Sequence, residues 1–176
     1  HRDADGNVCA PGELGFVSFA YNPATSPSYF RAPEKNAETF GRSHYSVGDL
    51  GYVDADGYLY LTGRSAEVII SGGVNIYPQE VDNALASHPA VREVCTVGVP
   101  NEEWGEEVKA VIALADGFPA SPELERHLLA YAREHLAAFK RPRSIDFVET
   151  IPHSEAGKVL RAEVRRRYWA TATRQI

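Results

Sequence analysis

The chain has 176 residues, 44% of them hydrophobic and 24% charged, the balance of an ordinary globular polypeptide with material for one sizeable core or two small ones. A net charge of −6 argues against general nucleic-acid binding, and no apolar run reaches the length of a membrane span. The two cysteines, Cys9 and Cys95, give neither a metal-spacing pair nor a disulfide framework, and each has the apolar neighbours of a buried thiol.

The opening residues His1 to Gly6 are polar and lack the charged-then-apolar pattern of a secretory signal, so a cytoplasmic protein is expected. A short apolar strand, Leu14 to Ala20, precedes the breaker-rich run Tyr21 to Pro27, and a short helix is expected around Pro33 to Phe40. Structural punctuation is densest from Gly48 to Asp82. Asp54-Ala55-Asp56-Gly57 between alternating apolar residues predicts a hairpin, because glycine supplies the positive φ that a tight turn needs. The second strand, Tyr58 to Thr62, stops at Gly63-Arg64. After Ser65-Ala66-Glu67 come a strand at Val68-Ile69-Ile70, the turn Ser71-Gly72-Gly73, and a helix opened by Pro78.

That helix places Val81, Ala84 and Leu85 on one face and ends before His88-Pro89, because the residue preceding proline resists the αR conformation. Cys95, Val97 and Val99 alternate along a strand. A second strand puts Val108, Ala110, Ile112 and Leu114 on one side and Lys109 on the other. Ser121 caps a helix that starts at Pro122 and carries the stripe Leu124, Leu128, Tyr131 and His135. Ile145 and Phe147 form a last strand, and a final helix turns Leu160 and Val164 inward. The pattern changes near Ser65-Ala66 from strands and turns to alternating helices and strands. The expected fold class is α+β: residues 65–176 form a small domain with a mixed or antiparallel sheet flanked by helices, after a β-rich segment at 1–64.

Several residues carry chemistry and also have plain structural uses. Asp49 beside Gly48 is suited to capping a turn or to accepting hydrogen bonds from a diol. Arg64 is suited to pairing with an acid or to reaching a ligand. The pair Gly72-Gly73 is most simply a hairpin turn. The run Phe139-Lys140-Arg141-Pro142-Arg143 puts three cations and an aromatic at a helix end, where cations also satisfy the dipole. Lys158 after Gly157 is a flexible point charge on a polar loop, and the phosphate-loop motif fails there because Pro152 and Val159 occupy its glycine and hydroxyl positions. The six histidines lack metal spacing, and no metal ligand is assigned.

The ordered motifs GDLGY, LTGR, SGGVNIYPQEV, HPAV, VGVPNEEWGE, FKRPR and IPHSEAGKVLR resemble the adenylate-forming superfamily, which includes acyl- and aryl-CoA synthetases, over nearly the whole chain. The resemblance implies the carboxy-terminal portion of such an enzyme: residues 1–64 end the large domain and residues 65–176 form the mobile small domain. It implies that Asp49 and Arg64 hold the ribose of ATP, and that Lys158 stabilises the charge shared by the substrate carboxylate and the α-phosphate. Gly72 and Gly73 then line the passage for pantetheine, while Phe139, Arg141 and Arg143 meet the CoA nucleotide. ATP with Mg2+ and CoA are the implied cofactor and co-substrate, with the metal ligand and the carboxylic-acid pocket in the missing large domain. These residues alone are then expected to be inactive. At the pivot the superfamily usually has Asp or Lys; this chain has Ala66, which implies a shifted balance between the two domain arrangements. Two alternatives remain at this stage: acyl delivery to a carrier protein, and a non-catalytic module whose basic patch meets a partner or RNA.

Overall fold

The computed structural model describes residues 1–22, 24–40 and 43–172, and the chain divides into two compact units, His1–Ala66 and Glu67–Ile176. In the first, β1 (Gly15–Ala20), β2 (His44–Val53) and β3 (Leu59–Arg64) form an antiparallel sheet in that order, and helix α1 (Pro33–Thr39) lies between β1 and β2 in sequence. The Asp-Gly turn joins β2 to β3. Gly57 sits at φ +88°, and Asp54 Oδ1 accepts from the backbone N–H groups of Asp56 and Tyr58. Of the breaker-rich run, Pro23 lies outside the described residues.

The second unit is α+β. Its strands are β4 (Ile69–Ser71), β5 (Val74–Ile76), β6 (Val91–Asn101), β7 (Gly105–Leu114) and β8 (Ser144–Val148), and its helices are α2 (Pro78–Ala86), α3 (Pro122–His135) and α4 (Arg161–Ala172). Strand β7 is the spine. It pairs antiparallel with β6 along its length, antiparallel with β4 at Gly105, and parallel with β8 from Lys109 to Ala113, so the sheet is mixed. Both faces of β7 are dry. Val108, Ala110 and Ile112 pack with Val81 and Leu85 of α2 and Leu128 and Ala132 of α3, while Val111 and Ala113 share the other cluster with Cys95, Val97 and Val164. Burial on two faces explains why β7 reads as a nearly continuous apolar run rather than a clean alternation.

Local chemistry sets the ends of the helices. Ser121 Oγ accepts from Leu124 N–H at 3.2 Å, as expected of an N-cap followed by Pro122. The buried stripe of α3 is Leu128 and Ala132, whereas His135 is exposed and its Nδ1 lies 2.8 Å from the carbonyl of Tyr131. Leu160 precedes α4 and is exposed, so the inward position at that end belongs to Arg161 instead, followed by Val164 one turn later. Cys95 is fully buried and its thiol is pushed up to about 12 by desolvation. Cys9 is only half-buried, because it precedes β1 and is held by the opening turn through a hydrogen bond to His1 O.

His88, in the turn after α2, is 7% exposed, and its Nδ1 accepts from Ala90 N–H at 3.1 Å. Burial, and secondarily His127, lower its pKa below the ordinary 6.5. The folded state thus favours the neutral ring, so this contribution is fully present above about pH 6.5 and is lost as pH falls toward the depressed folded pKa. Chemical denaturation between pH 7 and 5 is expected to show stability falling with acidification. His88→Asn, which keeps an acceptor for Ala90, should flatten that slope; an unchanged slope would assign the effect to another group.

Candidate active-site and ligand-binding residues

In the first unit the β2–β3 register sets Asp49 opposite Arg64, and Arg64 Nε donates to Asp49 Oδ1 at 3.1 Å. Gly48, inside β2, takes φ +87°, and Gly51 lies so close to β3 that a Cβ there would sit 2.5 Å from Tyr60 O. Both glycines are therefore required by the path of the strand that carries Asp49. Because the ion pair is largely exposed, it contributes only about 0–1 kcal/mol. Its carboxylate can accept from vicinal hydroxyls without a large loss of stability.

The second unit gathers most of the other expected residues around one cavity. Ser71 pairs with Val74, and Gly72 and Gly73 between them have φ of +57° and +79°, the two positive values of a type I′ hairpin. Gly72 has a second reason to be glycine. A Cβ at this position would lie 2.5 Å from Trp104 Cε3, whereas at Gly73 it would meet nothing within 4 Å. Trp104 is seated by Asn101, whose Oδ1 accepts from the N–H groups of Glu103 and Trp104 at 3.0 and 2.9 Å, and the Trp104 carbonyl accepts from Gly72 N–H.

Gly72, Phe139, Arg141 and Arg143 all line the cavity with Trp104 and Arg133, in a volume of about 620 Å³. Gly73 is at the hairpin tip and does not line it. Phe139 is 52% exposed and Trp104 39%. The Arg143 guanidinium lies 5.3 Å from the Trp104 ring centroid. Arg141 has a second use: its Nε and Nη2 donate to the carbonyls of Leu136 and Arg133 at 2.9 and 3.0 Å, closing the C-terminal end of α3. Lys140, between them, turns away and pairs with Glu80 at 2.7 Å. Three arginines, of which Arg141 is partly committed to the end of α3, and two aromatic residues line the cavity with Val74, Val108 and Leu129, a composition that suits a ligand with both phosphate and a planar ring.

Sequence reasoning missed Trp104 and Arg133. The available signal for Trp104 was a tryptophan in the otherwise polar turn Asn101-Glu102-Glu103-Trp104-Gly105.

Lys158 is separate from that cavity. Ser154 N–H donates to Lys158 O at 2.8 Å and Gly157 N–H to Ser154 O at 2.9 Å, while Gly157 takes φ +75°. Ser154 Oγ accepts from Lys158 N–H at 3.2 Å. The turn repeats the bonding of Asp54 to Tyr58, with Ser154 in the place of Asp54. It leaves Lys158 exposed immediately after the left-handed glycine, with no ion pair to any described residue. Ala66 is exposed within the 3-10 turn Ser65–Glu67. Among the described residues, no group of three or more His, Cys, Asp or Glu side chains could hold a metal ion.

The AMP-binding enzyme C-terminal domain family matches residues 80–158, which include Trp104, Arg133, Phe139, Arg141 and Arg143 of the cavity and the lysine turn but not the Gly72 hairpin. The chain is 39% identical over 174 residues to the fatty acid–[acyl-carrier-protein] ligase ScoC of Streptomyces coeruleorubidus, covering 99% of this chain and 33% of that protein. It is 42% identical over 162 residues to the 2-succinylbenzoate–CoA ligase of Geobacillus kaustophilus, covering 92% of this chain and 32% of the relative. The solved o-succinylbenzoate CoA synthetase of Bacillus subtilis, in complex with its acyl-adenylate intermediate, superposes with a TM-score of 0.83 at 36% identity, over 93% of this chain and 33% of that one.

The chain belongs to the adenylate-forming superfamily. It spans about a third of the length of the curated superfamily members it matches. Its α+β second unit is the superfamily's C-terminal domain fold, and no described helix is long and apolar enough to cross a membrane.

Proposed function

We propose that the chain is the carboxy-terminal portion of a cytoplasmic, ATP-dependent carboxylate–CoA ligase, which makes an acyl-adenylate and then passes the acyl group to the CoA thiol. The observation that carries this reading is the convergence of Gly72, Phe139, Arg141 and Arg143 on one cavity with Trp104. A nucleotide bearing phosphates and a purine is the ligand those groups suit, and the adjoining hairpin, walled by Trp104 at Gly72 and open at Gly73, gives its thiol arm a narrow path. Membership of the superfamily supports the rest of the assignment.

In this reading Asp49 and Arg64 hold the ribose of ATP and Lys158 is the catalytic cation of the first half-reaction. Residues 1–64 end the large domain and residues 65–176 form the small one, with Ala66 as a pivot that lacks a side-chain hydrogen bond to favour either arrangement. The carboxylic acid and the magnesium are handled by the remainder of the polypeptide.

The test is a two-step assay of the full-length polypeptide: carboxylate-dependent exchange of pyrophosphate into ATP, then transfer from the adenylate to CoA. Absence of exchange with every acid in a broad panel overturns the reading. Delivery to a carrier protein is the second reading, favoured by the carrier-protein specificity of the Streptomyces coeruleorubidus relative. It predicts transfer to a phosphopantetheinylated carrier but not to free CoA. Arg143→Ala is the better probe of the choice, because Arg141 also closes α3 and its removal would disturb the helix end.

A further inference from the structure

Arg161 is 9% exposed, and every nitrogen of its guanidinium is engaged. Nε donates to Glu67 Oε2 at 2.9 Å, Nη2 to Asp82 Oδ2 at 2.9 Å, and Nη1 to Thr96 O at 2.7 Å. Asp82 Oδ1 in turn accepts from Thr96 N–H at 2.7 Å. One side chain thus ties together the first residue of the second unit, helix α2, strand β6 and the start of α4. The last of these begins three residues after Lys158. We propose that Arg161 and Glu67 form a clamp that positions the Lys158 turn for adenylate formation, an inference that rests on the reading of Lys158 given above.

The turn is tied to strand β6 on one side, where His153 Nε2 lies 3.1 Å from Glu93 Oε1, and needs a second anchor on the other. Its internal bonds, from Ser154 N–H to Lys158 O and from Gly157 N–H to Ser154 O, close the hairpin on itself without fixing it to the sheet. On its N-terminal side His153 is held through Ile151 O and Glu93. On its C-terminal side Leu160 N–H reaches Pro152 O, which belongs to the same loop, and the first link to the sheet is Arg161. The planar fork suits this task because three donor directions are used at once, and a lysine there would offer a single point charge. Glu67 stands at the place where the chain enters the unit, so the clamp gives the entering segment and the lysine turn a common fixed point.

Glu67 is the residue to change, because its side chain is 34% exposed and its removal leaves Arg161 bonded to Asp82 and Thr96. In the 176-residue chain, Glu67→Ala is expected to raise hydrogen exchange at the Gly157, Lys158 and Leu160 amides by about tenfold while the β6–β7 amides keep their protection. In the full-length polypeptide it is expected to lower adenylate formation by about tenfold or more, with thiol transfer from a supplied acyl-adenylate unchanged. Glu67→Gln keeps an oxygen for Arg161 Nε and should recover most of the loss. Unchanged exchange at the turn overturns the clamp, and so does equal loss in both half-reactions, which is the pattern of a merely structural role. Arg161→Lys should show the same selective loss more strongly; if it does not fold, the Glu67 variants decide alone. If Lys158→Ala leaves adenylate formation intact, the reading of Lys158 fails, and the exchange measurement still reports on the clamp by itself.

Discussion

Lys158→Ala is expected to lower carboxylate-dependent pyrophosphate exchange in the full-length polypeptide on the order of a hundredfold or more, with a smaller effect on the affinity for ATP. The ammonium is exposed on a turn and makes no ion pair with a described residue, so its removal leaves no buried partner unsatisfied. Thermal stability should therefore stay close to that of the parent. The loss falls on the rate because the charge on the α-phosphate and the attacking carboxylate is greatest in the transition state, where a cation within contact distance is most effective. Transfer to the thiol from a supplied adenylate should be spared, since in the proposed reading the small domain has turned Lys158 away from the phosphate for that step. Exchange within a few-fold of the parent would remove Lys158 from the chemistry and leave it a surface residue.

The second large effect is expected at Gly72 and is best read against Gly73. Both residues have positive φ, so alanine at either strains the hairpin by about 1–2 kcal/mol. Only Gly72→Ala also drives a Cβ to 2.5 Å from Trp104 Cε3, which forces the indole to move or the hairpin to open. Because Trp104 lines the cavity and lies beside the Arg143 guanidinium, its displacement reshapes the binding surface. Gly72→Ala should raise the KM for CoA by on the order of tenfold, the consequence of losing about 1.4 kcal/mol of binding, and leave adenylate formation unchanged. Gly73→Ala should cost stability with little change in KM. Equal behaviour of the two variants, measured by CoA titration of the second step, would detach the hairpin from the thiol acceptor.

How far the sequence was legible depended on whether each signal was local. The Asp54 to Gly57 turn and the Ser121 cap could be read because each is specified by a few adjacent residues with a single geometric job. The turn bearing Lys158 uses the same bonding as Asp54 to Tyr58, yet Ser154-Glu155-Ala156-Gly157 has the sequence of a plain loop because no alternating strands flank it. Lys109 shows the opposite limit. Its place off the main apolar stripe was visible, but not that α4 covers that face, where Asp146 and Tyr168 receive it. Arg161 was invisible for the same reason. Its partners Glu67, Asp82 and Thr96 come from distant parts of the chain, and nothing in the order of residues announces that a guanidinium will be enclosed. Gly72, Phe139, Arg141 and Arg143 are legible through the resemblance, whereas Trp104 and Arg133 are joined to them only by the fold, which brings all six to one cavity.

Strand β3 pairs with β2 alone among the described strands, and Tyr58, Leu59, Tyr60 and Leu61 along it are exposed. An unsaturated aromatic ribbon of this kind is a template for another copy of itself. The 176-residue polypeptide is accordingly expected to associate through its first third as concentration rises, a gain in mass by light scattering that residues 67–176 alone should not show.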